Sequence, residues 1–406
     1  MHPLRLALHN ELHSRPSIYF IEPAHVFHVT MLDEEGLMEE INKRLALETE
    51  GESQGLLTLD GGIAKWERHT EFLSLTLVMP ITDSKEHWPA MPACMGALIS
   101  DHQHLMIESS IILVENEGER QCDPEIYGFK DASGSEVGAG DAVVWSDFRL
   151  TDNGINRFLL INRRLNSYRL GRMVRRILEI ETYRTMASLA LPLAKSVSAS
   201  LKIFEKELTA LSDENASTTG LDAKKILDEI SHLSARIVRC AARARQRFSA
   251  TQAYSQLVFE RIGELREGHV EGRQRIGIFI ERRFRPTVRY CDATHQRLER
   301  LHGSVANLGD LLQARVQVEV EEQNAAILKS LNARAITQVK IQKAVEGLSI
   351  IAISYYFFSL LKLVYEGLHG LGIEISAKDF AMYIAPLAMT TFVLIGLRII
   401  KAKTAD

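Results

Sequence analysis

Gly347–Leu361, GLSIIAISYYFFSLL, carries no charged residue, and neither does Phe380–Leu397, FAMYIAPLAMTTFVLIGL. Apolar character continues beyond the first stretch through Val364 and Tyr365. A membrane-spanning helix needs about 20 mostly apolar residues, with roughly 17 as the lower limit. Both stretches reach that length once their flanks are included, and nothing else in the 406 residues comes near it. Val345–Ile400 therefore reads as two spanning helices joined by a short polar loop. Lys329, Arg334, Lys340 and Lys343 precede the first span, and Arg398, Lys401 and Lys403 close the second. The loop holds Glu366, Glu374 and Asp379 against Lys378 alone. Lys and Arg are retained on the cytoplasmic side. The expectation is a multi-pass protein of the inner membrane with both termini cytoplasmic.

Upstream of the first span the chain reads as helix for a long way. No Pro interrupts the sequence between Pro286 and Pro386, so Thr287–Tyr365 is expected as one nearly continuous helix. Leu298, Leu301, Val305, Leu308 and Leu312 alternate spacings of three and four, as in a coiled coil. The stripe continues through Val316, Val320, Asn324, Leu328 and Leu331. Asn324 lies on that stripe, where a polar residue can set register and oligomer number. Earlier still, Ser167–Leu211 and Leu221–Glu267 are periodic helical runs, the first expected to kink at Pro192. Gln274–Arg283 reads as a short helical piece before a restart at Pro286.

Before residue 165 the pattern is short and mixed. Ile18–Ile21, Val26–Met31, Phe72–Met79, His104–Val114, Ala142–Leu150 and Ile155–Ile161 are rich in branched and aromatic residues and read as strands. Glu34–Leu47 reads as an amphipathic helix. Asp152-Asn153-Gly154 supplies a hairpin turn. Gly134–Gly140 is glycine-rich, but no Gly-Lys-Ser/Thr follows, so it reads as a loop between strands and not as a phosphate cradle. The whole divides into an α+β N-terminal cytoplasmic domain (1–164), a helical domain (165–285), a coiled-coil-like stalk (286–343) and a C-terminal transmembrane hairpin (344–366 and 379–401).

Composition narrows the functional classes. A formal charge of -4 argues against a dedicated nucleic-acid binder. Cys94, Cys122, Cys240 and Cys291 have no CxxC spacing and read as reduced cysteines. Nine of the fourteen histidines precede residue 105, with His25/His28 and His102/His104 as the closest pairs. No carboxylate or Cys stands at ligand spacing beside either pair, so no metal site and no cofactor is assigned. No nucleophile–base pattern such as GxSxG or HExxH appears, and no enzyme activity is expected.

Three sets of residues qualify as candidates. Arg163, Arg164, Arg169, Arg172, Arg175 and Arg176 form the most basic stretch, with no acid among them. It suits an anion or a lipid headgroup, or else a helix face paired with acids elsewhere. Tyr355, Ser359, Lys362 and Glu366 share one face of the first span and suit a pore or bundle interior. Asn324 is the register-setting candidate. Asn10, Glu11, His13 and Arg15 concentrate polar groups near the start of the chain.

The order of several segments resembles an uncharacterised bacterial membrane-protein family, domain of unknown function 3422. The opening matches at Pro3, Arg5, Asn10, Glu11, His13, Arg15 and Pro16. Further matches are Trp145-Ser146-Asp147-Phe148-Arg149, Glu181-Thr182-Tyr183-Arg184, Arg247-Phe248-Ser249-Ala250, Glu264-Leu265-Arg266-Glu267 and Val345-Glu346-Gly347-Leu348-Ser349. The resemblance implies architecture and membrane location, and no activity. The layout is also similar to that of CorA-type magnesium channels, which would imply a homo-oligomeric ring. Their Gly-Met-Asn signature is replaced here by Tyr365-Glu366-Gly367-Leu368. The expectation is an oligomeric scaffold or sensor held in membrane lipid, with a CorA-like channel as the alternative.

Overall fold

The computed structural model describes residues 2, 4, 5, 9, 17–34, 37–45, 53–82, 86–118, 123–217, 223–371 and 376–403. The Asn10, Glu11, His13 and Arg15 cluster and Cys122 lie outside the described residues. The chain divides into two compact units, Met1–Ala314 and Arg315–Asp406.

In the first unit, nine strands are present among the described residues. They are β1 Ala24–Leu32, β2 Gln54–Leu59, β3 Gly62–Arg68, β4 Phe72–Pro80, β5 Met106–Asn116, β6 Ser133–Val137, β7 Ala142–Ser146, β8 Asn156–Asn162 and β9 Gly268–His269. They form one sheet in the order β2-β3-β4-β1-β5-β8-β7-β6-β9. β5 and β8 pair in parallel, and the remaining neighbours are antiparallel. The six strands expected from sequence thus become nine: β2, β3, β6 and β9 are additional, and Ile18–Ile21 is irregular. Glycines and charges in Gln54–Leu59 and Gly62–Arg68 hide the strand pattern. The glycine-rich segment is a hairpin and not a loose loop. Gly138, Ala139 and Gly140 turn with φ of 64°, 66° and 89° between β6 and β7. Gly134 lies under the Trp145 ring, where a Cβ would stand 2.3 Å from a ring carbon.

Helices cover both faces of the sheet. α1 (Leu37–Leu45) and α2 (Ala93–Asp101) pack on Phe27, Val29, Trp66 and Leu75. α3 (Ser167–Ser188) and α5 (Ala223–Glu264) pack on Val26, Ile112, Phe158 and Leu160 on the opposite face. Between them runs α4 (Ala190–Ser217). α3 ends at Ser188, four residues before Pro192, whose ring clashes with the carbonyl at that position. The Trp145–Arg149 motif shapes a corner. Ser146 donates to the Arg157 carbonyl at 2.7 Å, Asp147 accepts from the Lys130 and Arg149 amides, and Phe148 (φ 53°) stacks on Phe279.

α6 runs Ile276–Gly370, 95 residues, with Pro286 inside it. The break expected between Gln274–Arg283 and Pro286 does not occur. Leu298, Leu301, Val305 and Leu312 are buried against Leu201, Ile230 and Ile237 of α4 and α5. This half of the three–four stripe is therefore spent within one chain, in a three-helix cluster. A coiled-coil seam between chains is not needed to explain it.

The second unit holds the remainder of α6 and a last helix, α7 (Ala377–Lys403). Here the fold expectation needs correction. Among the described residues one helix, α6, is long and apolar enough to cross a membrane. Among the described residues the apolar run of α7 is Ala381–Val393. At about 1.5 Å per residue that described run covers roughly 20 Å, short of a hydrocarbon core of about 30 Å. Lys378 and Asp379 begin the helix and limit its apolar run on that side. The two-span hairpin, and with it the multi-pass topology with both termini on one side, is thus not supported.

Candidate functional site

The register of the sheet assembles a polar belt from residues far apart in sequence. One row runs across five strands: Lys65 pairs with Thr76, Thr76 with His28, His28 with Ser110, and Ser110 with Asn156. A second row lies beside it: Glu67 pairs with Ser74, Ser74 with Thr30, and Thr30 with Glu108. Side chains two apart on a strand share a face, so both rows point the same way. That face is covered by α3. His28, Thr30, Lys65, Ser74, Glu108, Ser110 and Asn156 are all buried.

α3 answers the belt with its own polar groups. Thr182 lies 3.1 Å from His28 Nε2, and Thr30 Oγ1 lies 3.2 Å from the same nitrogen. His28 Nδ1 is 2.8 Å from Thr76 Oγ1. Glu181, 1 % exposed, accepts from Asn156 Nδ2 at 3.1 Å and from Arg184 Nη2 at 2.7 Å. The Glu181–Arg184 segment quoted for the family resemblance is thus the lid of the belt. Ser110 donates to Glu108 Oε1, while Glu108 Oε2 faces His28 Nε2 at 3.6 Å. Burial drives this pair towards neutrality: it pushes the Glu108 carboxyl up to about 8 and the His28 imidazole down to about 4.

Lys65 and Glu67 form an ion pair of 2.9 Å with side-chain exposures of 5 % and 14 %. Burial pulls the Lys65 ammonium below its ordinary range. For Glu67 burial acts upward, but Lys65 and Arg175 outweigh it and the carboxyl stays low. Above the pair, Arg175 donates to Glu179 at 2.7 Å, and Arg261 of α5 holds the other Glu179 oxygen at 2.5 Å.

A cavity of about 50 Å³ opens between these groups, lined by His28, Lys65, Glu67, Arg175, Glu179 and Tyr183 among others. One water occupies roughly 10–15 Å³ by this measure, so there is room for about four waters or one small molecule. Ser17, Ile18 and Phe20 form part of its wall. Gly171 of α3 lets that segment in: a Cβ there would stand 2.0 Å from the Ile18 carbonyl oxygen. The lining pairs each cation with an anion, so a neutral polar or zwitterionic occupant fits best.

The residues singled out from sequence fall elsewhere. Arg163 pairs with Glu117 at 2.8 Å and Glu136 at 2.7 Å, and Arg164 with Asp141 at 3.0 Å. Arg169 pairs with Asp141 at 2.5 Å and Arg176 with Glu264 at 2.9 Å. Arg175 alone of the six turns into the belt cavity, while Arg169, Arg172 and Arg176 line a second pocket. In the second unit Asn324, Tyr355, Ser359, Lys362 and Glu366 are exposed, and Lys362 lies 3.9 Å from Glu366. His25 Nε2 donates to the His87 carbonyl at 3.1 Å, and His102 pairs with Glu40 at 2.9 Å. Sequence reading weighed His28 only as a metal-ligand candidate beside His25, and missed Lys65, Glu67 and Glu108. Their signal was polar alternation within β1, β3, β4 and β5, which is equally the mark of a wet sheet face.

A family model described as Protein of unknown function (DUF3422) matches residues 1–404. No curated protein and no solved structure matches the chain. The likeness of layout to CorA-type channels therefore gains nothing from solved structures.

Proposed function

The chain belongs to the DUF3422 family of proteins of unknown function, and from that premise we propose that it is a membrane-anchored sensor. Its N-terminal unit binds a small zwitterionic or neutral polar molecule in the belt cavity, and the apolar part of α6 anchors it. The reading is one of binding and not of turnover. The observation that carries it is the buried Lys65–Glu67 pair facing a cavity beside His28. Burying such a pair rarely adds stability, because desolvation offsets the attraction. Perturbed titratable groups around a cavity are the usual mark of a ligand site.

Thermal unfolding of the full-length protein in mild detergent, with glycine, taurine and glycine betaine as probes, tests the cavity. A probe at 100 times its dissociation constant stabilises by about 2.7 kcal/mol. The expected result is a rise in Tm with at least one probe that disappears in Lys65→Met/Glu67→Leu. No shift with any probe, or a shift unchanged in that variant, removes the reading.

The anchor is tested separately by alkaline carbonate extraction of membranes. The wild type is expected in the pellet. Ile351→Arg with Phe358→Arg places two charges in the apolar stretch, at about 2.5–3.5 kcal/mol each on the insertion scale. That variant is expected in the supernatant. A wild type that washes off contradicts anchoring.

A further inference from the structure

α3 begins in a way that the helix dipole disfavours. Its first turn holds no acidic residue, and Arg169, Arg172 and Arg176 follow at spacings of three and four on one side. The N-terminal end of a helix carries partial positive charge; Arg169 lies in that first turn and Arg172 and Arg176 extend the positive charge along the same side, so the three guanidiniums call for negative charge opposite them. The protein supplies only part of it. Asp141 is shared by Arg164 and Arg169, and Glu264 is shared by Arg176 and Arg261. Arg172 forms no ion pair among the described residues, and neither does Arg266.

These four arginines line one pocket of about 250 Å³, with Glu264 at its wall and Leu165 and Met173 as its apolar part. Arg266 reaches it from the residues just beyond α5 with φ of 50°, a left-handed position where glycine is the usual occupant.

We propose that this pocket binds a phosphoryl group. Two uncommitted guanidiniums match the charge of a phosphate monoester, about −1.5 to −2 at neutral pH. Their planar forks fit its oxygens in pairs. The site is distinct from the belt cavity, and Lys65→Met/Glu67→Leu leaves it unchanged.

Isothermal titration of the full-length protein in a neutral detergent tests this, with phenyl phosphate as probe and benzoate as the singly charged comparison. Saturable binding of phenyl phosphate is expected, with benzoate weaker. Arg172→Gln/Arg266→Gln removes two charge-assisted contacts and is expected to weaken binding at least about tenfold. Both side chains are exposed, so folding is expected to survive, which the Trp fluorescence melt verifies. Arg163→Gln, whose partners lie outside the pocket, leaves affinity unchanged. Dihexanoyl phosphatidic acid separates the sources. Competition at equal affinity means that the phosphoryl group alone is read and a soluble ligand suffices. Markedly tighter binding that still depends on Arg172 and Arg266 identifies a lipid headgroup. Absence of saturable phosphate binding, or affinity unaltered in Arg172→Gln/Arg266→Gln, overturns the proposal.

Discussion

Lys65→Met is expected to lower the stability of the N-terminal unit by about 3–5 kcal/mol, and Lys65→Met/Glu67→Leu to restore most or all of it. The single change strands a buried carboxylate, 14 % exposed, without the ammonium 2.9 Å away. Arg175 is the strongest remaining cationic influence on Glu67 and recovers only part of that loss, because it is already held by Glu179. Replacing both partners by apolar groups removes two desolvation costs together with one attraction, which is commonly neutral or stabilising. Urea unfolding followed by Trp fluorescence measures this directly. The protein's three tryptophans, Trp66, Trp88 and Trp145, all lie in the N-terminal unit. A double variant as unstable as the single one would mean that the pair is kept for stability. A double variant that is stable yet indifferent to ligand would mean that it is kept for binding.

Stability is also expected to fall by about 2 kcal/mol between pH 6.5 and 8, and Glu108→Gln to abolish that fall. The Glu108 carboxyl moves from an ordinary 4.5 to about 8 on folding. Between those values the folded chain keeps a proton that the unfolded chain has released, so stability declines as pH rises. His28 acts oppositely: its imidazole drops from 6.5 to about 4, so its contribution declines as pH falls through that window. From pH 4.5 to 6.5 the two slopes cancel. From 6.5 to 8 Glu108 acts alone, at about 1.4 kcal/mol per pH unit. Glu181 and Arg184 face Glu108 with opposite charges and leave burial as the governing influence. Urea unfolding at four pH values across the window measures the slope. A slope that persists in Glu108→Gln assigns it to another group.

Much of the fold is local and therefore legible. The apolar run inside α6, the long helices before it and the turn at Gly154 follow from residue type and spacing. The break between α3 and α4 follows from Pro192, displaced by the four residues over which its ring acts. Reading failed where a charge sat in a strand, as with Lys65 and Glu67 in β3, and where Pro286 was taken as a boundary. It also failed at the second span, where the described apolar part of α7 is too short.

Residue order alone determined that β1 alternates Phe27, Val29 and Met31 with Val26, His28 and Thr30, and that six arginines cluster before and within α3. Such alternation is the ordinary pattern of a sheet with one wet face. Only the tertiary structure decided that α3 closes over that face and turns nine polar side chains, seven of them buried, into a belt with a cavity. Only it decided which arginines meet Glu117, Glu136, Asp141 and Glu264, and that Arg172 and Arg266 meet none of them. The reason is physical: periodicity states which residues share a face, whereas burial and neutralisation depend on what lies across from that face. In this chain partners stand far away in sequence, 27 positions from Arg163 to Glu136 and 154 from His28 to Thr182.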